Sequence, residues 1–185
     1  MFRLIASDLR AKAAWCYDDA SRRGMLKVLF TDGTPAMLVY RAMQWARARR
    51  LLPLEMLFNK VNVVFCGCII GRGAEFGPAF VLVHSTGIVI NGRVSGGSHV
   101  YLEHQVTIGA ERGESPRLGD HIYVGAGAKV LASVGSHCRV GANAVVREVV
   151  PDYSTAVGVP ARLVHKGPDT ARRPGPGADP NATGE

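Results

Sequence analysis

The chain has 185 residues, 47% hydrophobic and 20% charged, with a formal net charge of +7. That length fits one domain with its own core, and Gly 22 with Pro 10 speaks for many turns without reaching the level of a disordered polymer. No run of eighteen apolar residues is present, which excludes a transmembrane helix, and the start MFRLIASDLRAKAAW lacks the apolar stretch and cleavage site of a secretory signal.

Residues 1–60 read as an α-helical N-terminal region. Thr31-Asp32-Gly33-Thr34-Pro35 is a turn and N-cap signal. It precedes a helix whose apolar face is expected at Met37, Tyr40, Ala42 and Trp45. Arginines cluster after it at Arg47, Arg49 and Arg50, and again at Arg172 and Arg173. They sit on no recognisable nucleic-acid module, so no nucleic-acid partner is expected; a solvated face, or a patch for a small anion, accounts for them. Cys16, Cys66, Cys68 and Cys138 are too sparse for a disulfide scaffold and read as small buried hydrophobes of a cytoplasmic protein.

Residues 61–165 carry the strongest signal. In steps of six, one column stays aliphatic or aromatic: Val64, Ile70, Phe76, Leu82, Ile88, Val94, Val100 and Val106. It resumes at Leu118, Val124 and Val130, slips by two, and continues at Val134, Val140 and Val146. A second column four residues after each hit is mostly small, as at Cys68, Ala74, Thr86, Gly92, Ser98, Ala128, Cys138 and Ala144. Such a period fits neither a helix nor an alternating strand; it fits a parallel β-helix, three hexads to a triangular coil. The polar stretch 107–117, with Arg112 where an apolar residue is due, reads as a loop ejected from the prism. Residues 166–185 are rich in Pro and Gly and are expected to be a disordered tail.

These hexads, with His84-Ser85-Thr86-Gly87-Ile88-Val89, Val106-Thr107-Ile108-Gly109-Ala110, Val124-Gly125-Ala126-Gly127-Ala128-Lys129 and the closing Gly158-Val159-Pro160-Ala161-Arg162, resemble the hexapeptide-repeat acyltransferases. More narrowly they are similar to the serine acetyltransferase branch. The resemblance implies a mainly β chain, a left-handed parallel β-helix behind short helices, assembled as a homotrimer with sites between neighbouring prisms. It implies direct transfer of an acetyl group from acetyl-CoA to a hydroxyl or amine, without an acyl-enzyme; no metal and no membrane partner are expected. His84 matches the general base. Gly109 and Ala110 match the backbone donors for the thioester oxygen. Ala126 and Ala142 match small residues along the pantetheine path, and Arg139 and Arg162 match basic residues near the nucleotide. His104, in a corner column of small residues, is a further candidate for touching substrate.

Three features of that branch are missing. Ile69 stands where an aspartate orients the histidine, Val83 where an acidic residue meets the amine of serine, and Glu114-Ser115-Pro116 where an Arg-His-Pro binds its carboxylate. A site for a zwitterion would leave those charges unpaired. The expected acceptor is therefore a small molecule or glycan other than free serine, such as a sugar hydroxyl on a polysaccharide precursor, with a backbone carbonyl left to orient His84. A divergent serine O-acetyltransferase and a non-catalytic scaffold are the alternatives. A metal lyase on the same prism would need stacked histidines. In hexad phase no two of His84, His99 and His104 stack, and His121 and His137 straddle the slip.

Overall fold

The computed structural model describes residues 1–110 and 113–166; Arg112 and all but the first residue of the expected tail lie outside them. Four helices lead the chain: α1 (Phe2–Tyr17), α2 (Arg22–Val28), α3 (Thr34–Ala48) and α4 (Leu52–Cys66). Gly33 in the left-handed region (φ 76) caps α3 with a proline in its first turn, as the turn signal predicts. The inner face of α3 differs from the expected one. Met37, Tyr40, Met43 and Ala46 are buried, while Ala42 and Trp45 are only half-buried. Arg41 is buried too, at 1% exposure, because Asp8 of α1 takes its Nε at 2.6 Å and its Nη2 at 3.0 Å. Helix α4 runs to Cys66, so Val64, the first hit of the column, is an exposed helical residue and not a rung.

Beyond Gly67 the chain winds into a parallel β-helix with three faces. The first holds β1 (Ile69–Ile70), β4 (Val89–Ile90), β7 (Thr107–Ile108), β10 (Lys129–Val130) and β12 (Val145–Val146). The second holds β2 (Glu75–Phe76), β5 (Ser95–Gly96) and β8 (Arg117–Leu118), continued by bridges from Leu118 to Val134 to Val150. The third holds β3 (Phe80–Leu82), β6 (Val100–Leu102), β9 (Ile122–Val124), β11 (Arg139–Val140) and β13 (Ser154–Val157), closed by antiparallel β14 (Arg162–Lys166). Ile70, Ile90, Ile108, Val130 and Val146 stack on one another. All five are at most 1% exposed, each buried aliphatic contributing about 1.5–3 kcal/mol.

The register differs from a uniform hexad. Each face turns two residues inward, two positions apart: Cys68 with Ile70, Ile88 with Ile90, Val106 with Ile108. Leu82 pairs with Leu102, but the step from Leu82 to Ile90 is two residues longer than that from Leu102 to Ile108. The column of sixes passes this insertion unnoticed, because from Ile88 to Val106 it tracks the other inward position. For the same reason Thr86, Gly92 and Ser98 of the small column are not buried. The slip after Val130 is present and recurs between Val146 and Val150. Thr107–Ile108 and Arg117–Leu118, placed in the expected ejected loop 107–117, are instead strands of the prism.

Candidate active site

His84 and His104 each lie two residues past the paired Leu82 and Leu102, at the corner between the third and first faces. Ala126 and Ala142 occupy the same place past Val124 and Val140 on the next two coils. The stacking is direct: Gly127 N–H donates to the His104 carbonyl at 2.9 Å, and Asn143 N–H to that of Ala126 at 2.8 Å. One ridge thus carries two imidazoles followed by two methyl groups. This corrects the reading in which no two of these histidines stack: the His84 and His104 rings meet edge to face, 6.0 Å apart. The small side chains of Ala126 and Ala142 continue the line of the imidazoles along the corner.

His84 stands on the corner lengthened by two residues. Ser85 Oγ donates to the Cys66 carbonyl at 2.9 Å and Gly87 N–H to that of Gly67 at 2.8 Å, which ties the longer corner to the end of α4. Gly87 sits at φ 73, a conformation that glycine adopts without cost. The His84 side chain is half-exposed, and its Nδ1 lies 3.4 Å from Asp32 Oδ2 on the turn between α2 and α3. A carboxylate therefore faces the ring where a backbone carbonyl was expected. Lys12 of α1 reaches both the Asp32 carbonyl and the Leu82 carbonyl, the latter at 2.9 Å. Burial pulls its ammonium down to about 8, against the opposing pull of Cys16, Asp32 and Glu103. Sequence reasoning missed Asp32 and Lys12, since the turn signal absorbed the one and an ordinary helix position the other.

The remaining candidates lie elsewhere. Val83 packs with Tyr101 beside Ala11, Ala79 and Val81, on the α1 side of the third face. Ile69 is exposed on the first face. Gly109 and Ala110 follow β7, at the opposite edge of that face from His84. Gly109 N–H already donates to the Val130 carbonyl at 3.1 Å, so of the two expected donors only Ala110 keeps that role in the reading below. On the same edge opens a cavity of about 1010 Å³, lined by Ser115, Ala132, Arg147, Glu148, Ala161 and Arg162 among others. Arg147 is a cavity residue that the hexad pattern gave no reason to single out. Arg139 is apart from Arg162: its guanidinium covers the Tyr123 ring at 4.8 Å, and Tyr123 stacks on Trp15 of α1.

At the corner between the second and third faces His99, His121, His137 and Tyr153 form a ladder, with ring centroids 4.5, 4.8 and 4.7 Å apart and planes within 12°. All four adopt positive φ between 54 and 57. His121 and His137 thus stack directly despite the slip. Parallel stacking turns ring faces, not nitrogen lone pairs, toward one another. Among the described residues no group of three His, Cys, Asp or Glu side chains is placed to hold a metal ion. No helix there is long and apolar enough to cross a membrane.

No protein-family model matches the chain. Curated relatives do. The chain is 31% identical to the serine acetyltransferase of Synechococcus elongatus over 90% of its own length and 70% of that protein. It is 32% identical to the serine acetyltransferase of Bacillus subtilis, over 93% and 81%. To that of Helicobacter pylori strain J99 it is 36% identical, over 80% and 91%. Among solved structures, the serine acetyltransferase of Neisseria gonorrhoeae superposes with a TM-score of 0.80 at 28% identity, over 92% of this chain and 69% of that one. A serine acetyltransferase in complex with CoA superposes at 0.75 with 27% identity, over 86% and 68%. These names give no support to an acceptor other than serine. Identity over most of both chains and a shared fold show that this chain belongs to the serine acetyltransferase family, within the hexapeptide-repeat acyltransferases.

Proposed function

We propose that the chain is an acetyl-CoA-dependent O-acetyltransferase that acts on L-serine, with His84 as general base. The observation that carries the reading is the corner ridge itself. It offers a half-exposed imidazole with a carboxylate at Nδ1 and a track of small residues beside it. With Nδ1 turned to Asp32, Nε2 is free to take the proton of the acceptor hydroxyl as its oxygen attacks the thioester carbonyl. The N–H of Ala110 stabilises the oxygen of the tetrahedral intermediate. The carbon–sulfur bond then breaks, His84 returns the proton to the departing thiolate, and CoA and the acetyl ester leave.

One chain separates these parts, since His84 and Ala110 flank the first face on opposite edges. A complete site therefore takes one edge from each of two copies, and three such pairings close a homotrimer. Exposed Val64, Phe65, Ile69 and Val89, on and beside that face, support a neighbour there. The cavity with Arg147 and Arg162 is suited to the phosphates of CoA, and the alanine track to its pantetheine arm. Arg139, held against Tyr123, is assigned no part in this. The four free cysteines suit a reducing cytoplasm.

A second reading keeps the mechanism and changes the acceptor to a neutral hydroxyl, such as that of a sugar. Exposed, apolar Ile69 and Val83, apolar and packed toward α1, favour it, since neither can meet an ammonium group. Release of CoA from acetyl-CoA, measured with L-serine and with a panel of sugars, decides between them. Turnover with serine alone supports the first reading, and turnover with sugars alone the second. Release with neither would refute both and leave a scaffold. A sedimentation mass other than that of three chains would refute the trimer.

A further inference from the structure

We propose that Asp32 is the residue that positions His84, a carboxylate supplied by the helical region in place of one on the prism. The inference rests on His84 serving as the base described above. Geometry carries it. Asp32 Oδ2 lies 3.4 Å from His84 Nδ1, and among the described residues it is the acidic group paired with that ring. Among the described residues the prism supplies no substitute: Ile69 on the neighbouring coil is apolar, and Glu103 lies 4.0 Å from the Nδ1 of His104 instead.

The turn that carries Asp32 is built to stay there. Gly33, at φ 76, lies so close to β3 that a Cβ would overlap the Leu82 carbonyl oxygen. Lys12 bridges the Asp32 and Leu82 carbonyls from the other side. Thr31 Oγ1 and Thr34 Oγ1 both donate to the Val28 carbonyl, at 2.8 and 2.7 Å, which closes the turn on the end of α2. Leu82 is two residues before His84, so the turn and the imidazole hang from the same carbonyl. A carboxylate at Nδ1 selects the tautomer with Nε2 unprotonated and stabilises the imidazolium formed during transfer. The Asp32 side chain is 82% exposed. Solvent therefore screens it, and its effect is smaller than that of a buried partner.

Four variants test this: Asp32→Asn, Asp32→Glu, His84→Ala, and Asp32→Asn combined with His84→Ala. Asp32→Asn is expected to lower kcat about twentyfold with KM for acetyl-CoA unchanged, and Asp32→Glu to restore most of it. In the His84→Ala background Asp32→Asn is expected to add nothing, because its effect passes through the ring. Nitrogen-15 spectra of the histidine rings supply a readout free of turnover. They are expected to show His84 protonated at Nδ1 in the unaltered protein and mixed between tautomers in Asp32→Asn. An unchanged kcat, an equal loss in the His84→Ala background, or His84 signals indifferent to Asp32→Asn would each overturn the proposal. Should no acceptor be turned over, the functional reading fails, while the ring spectra still decide the contact.

Discussion

Removing the carboxylate of Asp8 is the most informative perturbation of the scaffold. Asp8 and Arg41 are both about 1% exposed. The carboxylate accepts from Arg41 Nε at 2.6 Å, from Arg41 Nη2 at 3.0 Å and from Phe80 N–H at 3.0 Å. Arg41 also donates to the Phe76 and Gly77 carbonyls at 2.8 and 2.6 Å, so one guanidinium ties α1 and α3 to the first coil. Asp8→Ala leaves that charge buried with only carbonyl and amide oxygens around it. The expected loss is about 3–5 kcal/mol, a large share of a typical total of about 5–15 kcal/mol. For a chain of this size that lowers Tm by roughly 10 °C. Replacing both partners by apolar residues, Asp8→Leu with Arg41→Met, is expected to recover much of it, since no charge remains to be desolvated. Urea and thermal unfolding followed by circular dichroism measure all three proteins. A loss below about 1 kcal/mol for Asp8→Ala, the range of a solvated surface pair, would refute the reasoning.

Other consequences are as direct. His84→Ala is expected to reduce acetyl transfer at least about a hundredfold with Tm nearly unchanged, because the ring lies on an exposed corner; retained activity would remove it from the mechanism. Arg162→Ala is expected to raise KM for acetyl-CoA with little change in kcat, read from initial rates. His121, within the histidine ladder, makes stability pH-dependent. Burial, then the neighbouring His99 and His137, hold His121 below its ordinary value of 6.5. The unfolded chain therefore binds that proton first, and stability declines as pH falls through about 6.5, levelling off once His121 of the folded chain is also protonated. Asp120, held low by the N–H and hydroxyl of Ser98, adds a further loss at more acid pH. Urea midpoints at pH 7.5 and 5.5 measure the slope, and His121→Phe is expected to flatten it.

The coil was legible because a β-helix repeats its interior at short range: a branched residue every sixth position needs no long-range information. The register was not. Two inward positions per face are chemically alike, so the pattern cannot tell Ile88 from Ile90 as the partner of Ile70, and the phases assigned to His99 and His104, counted from Val94 and Val100, were displaced with it. The motif around His84 singled that residue out, but its place beside His104 on one corner depends on the register and was not legible. Asp32 was hidden for another reason. It meets His84 across 52 positions of chain, joined only by Lys12 and the Leu82 carbonyl, and a solvent-exposed aspartate in a turn looks ordinary in sequence. Arg41 was equally hidden, because its burial depends on Asp8 in a different helix.

Along the first face the paired residues advance from Ile70 to Ile90, Ile108, Val130 and Val146, and every one of those increments is an even number. Parity explains why. Adding a dipeptide at a corner returns the chain to the stack with the same side chains pointing inward, whereas a single added residue would turn a whole rung inside out. Evolution and protein engineering are thus offered a quantised freedom at these corners, where function can be lengthened or trimmed in pairs without renegotiating the core.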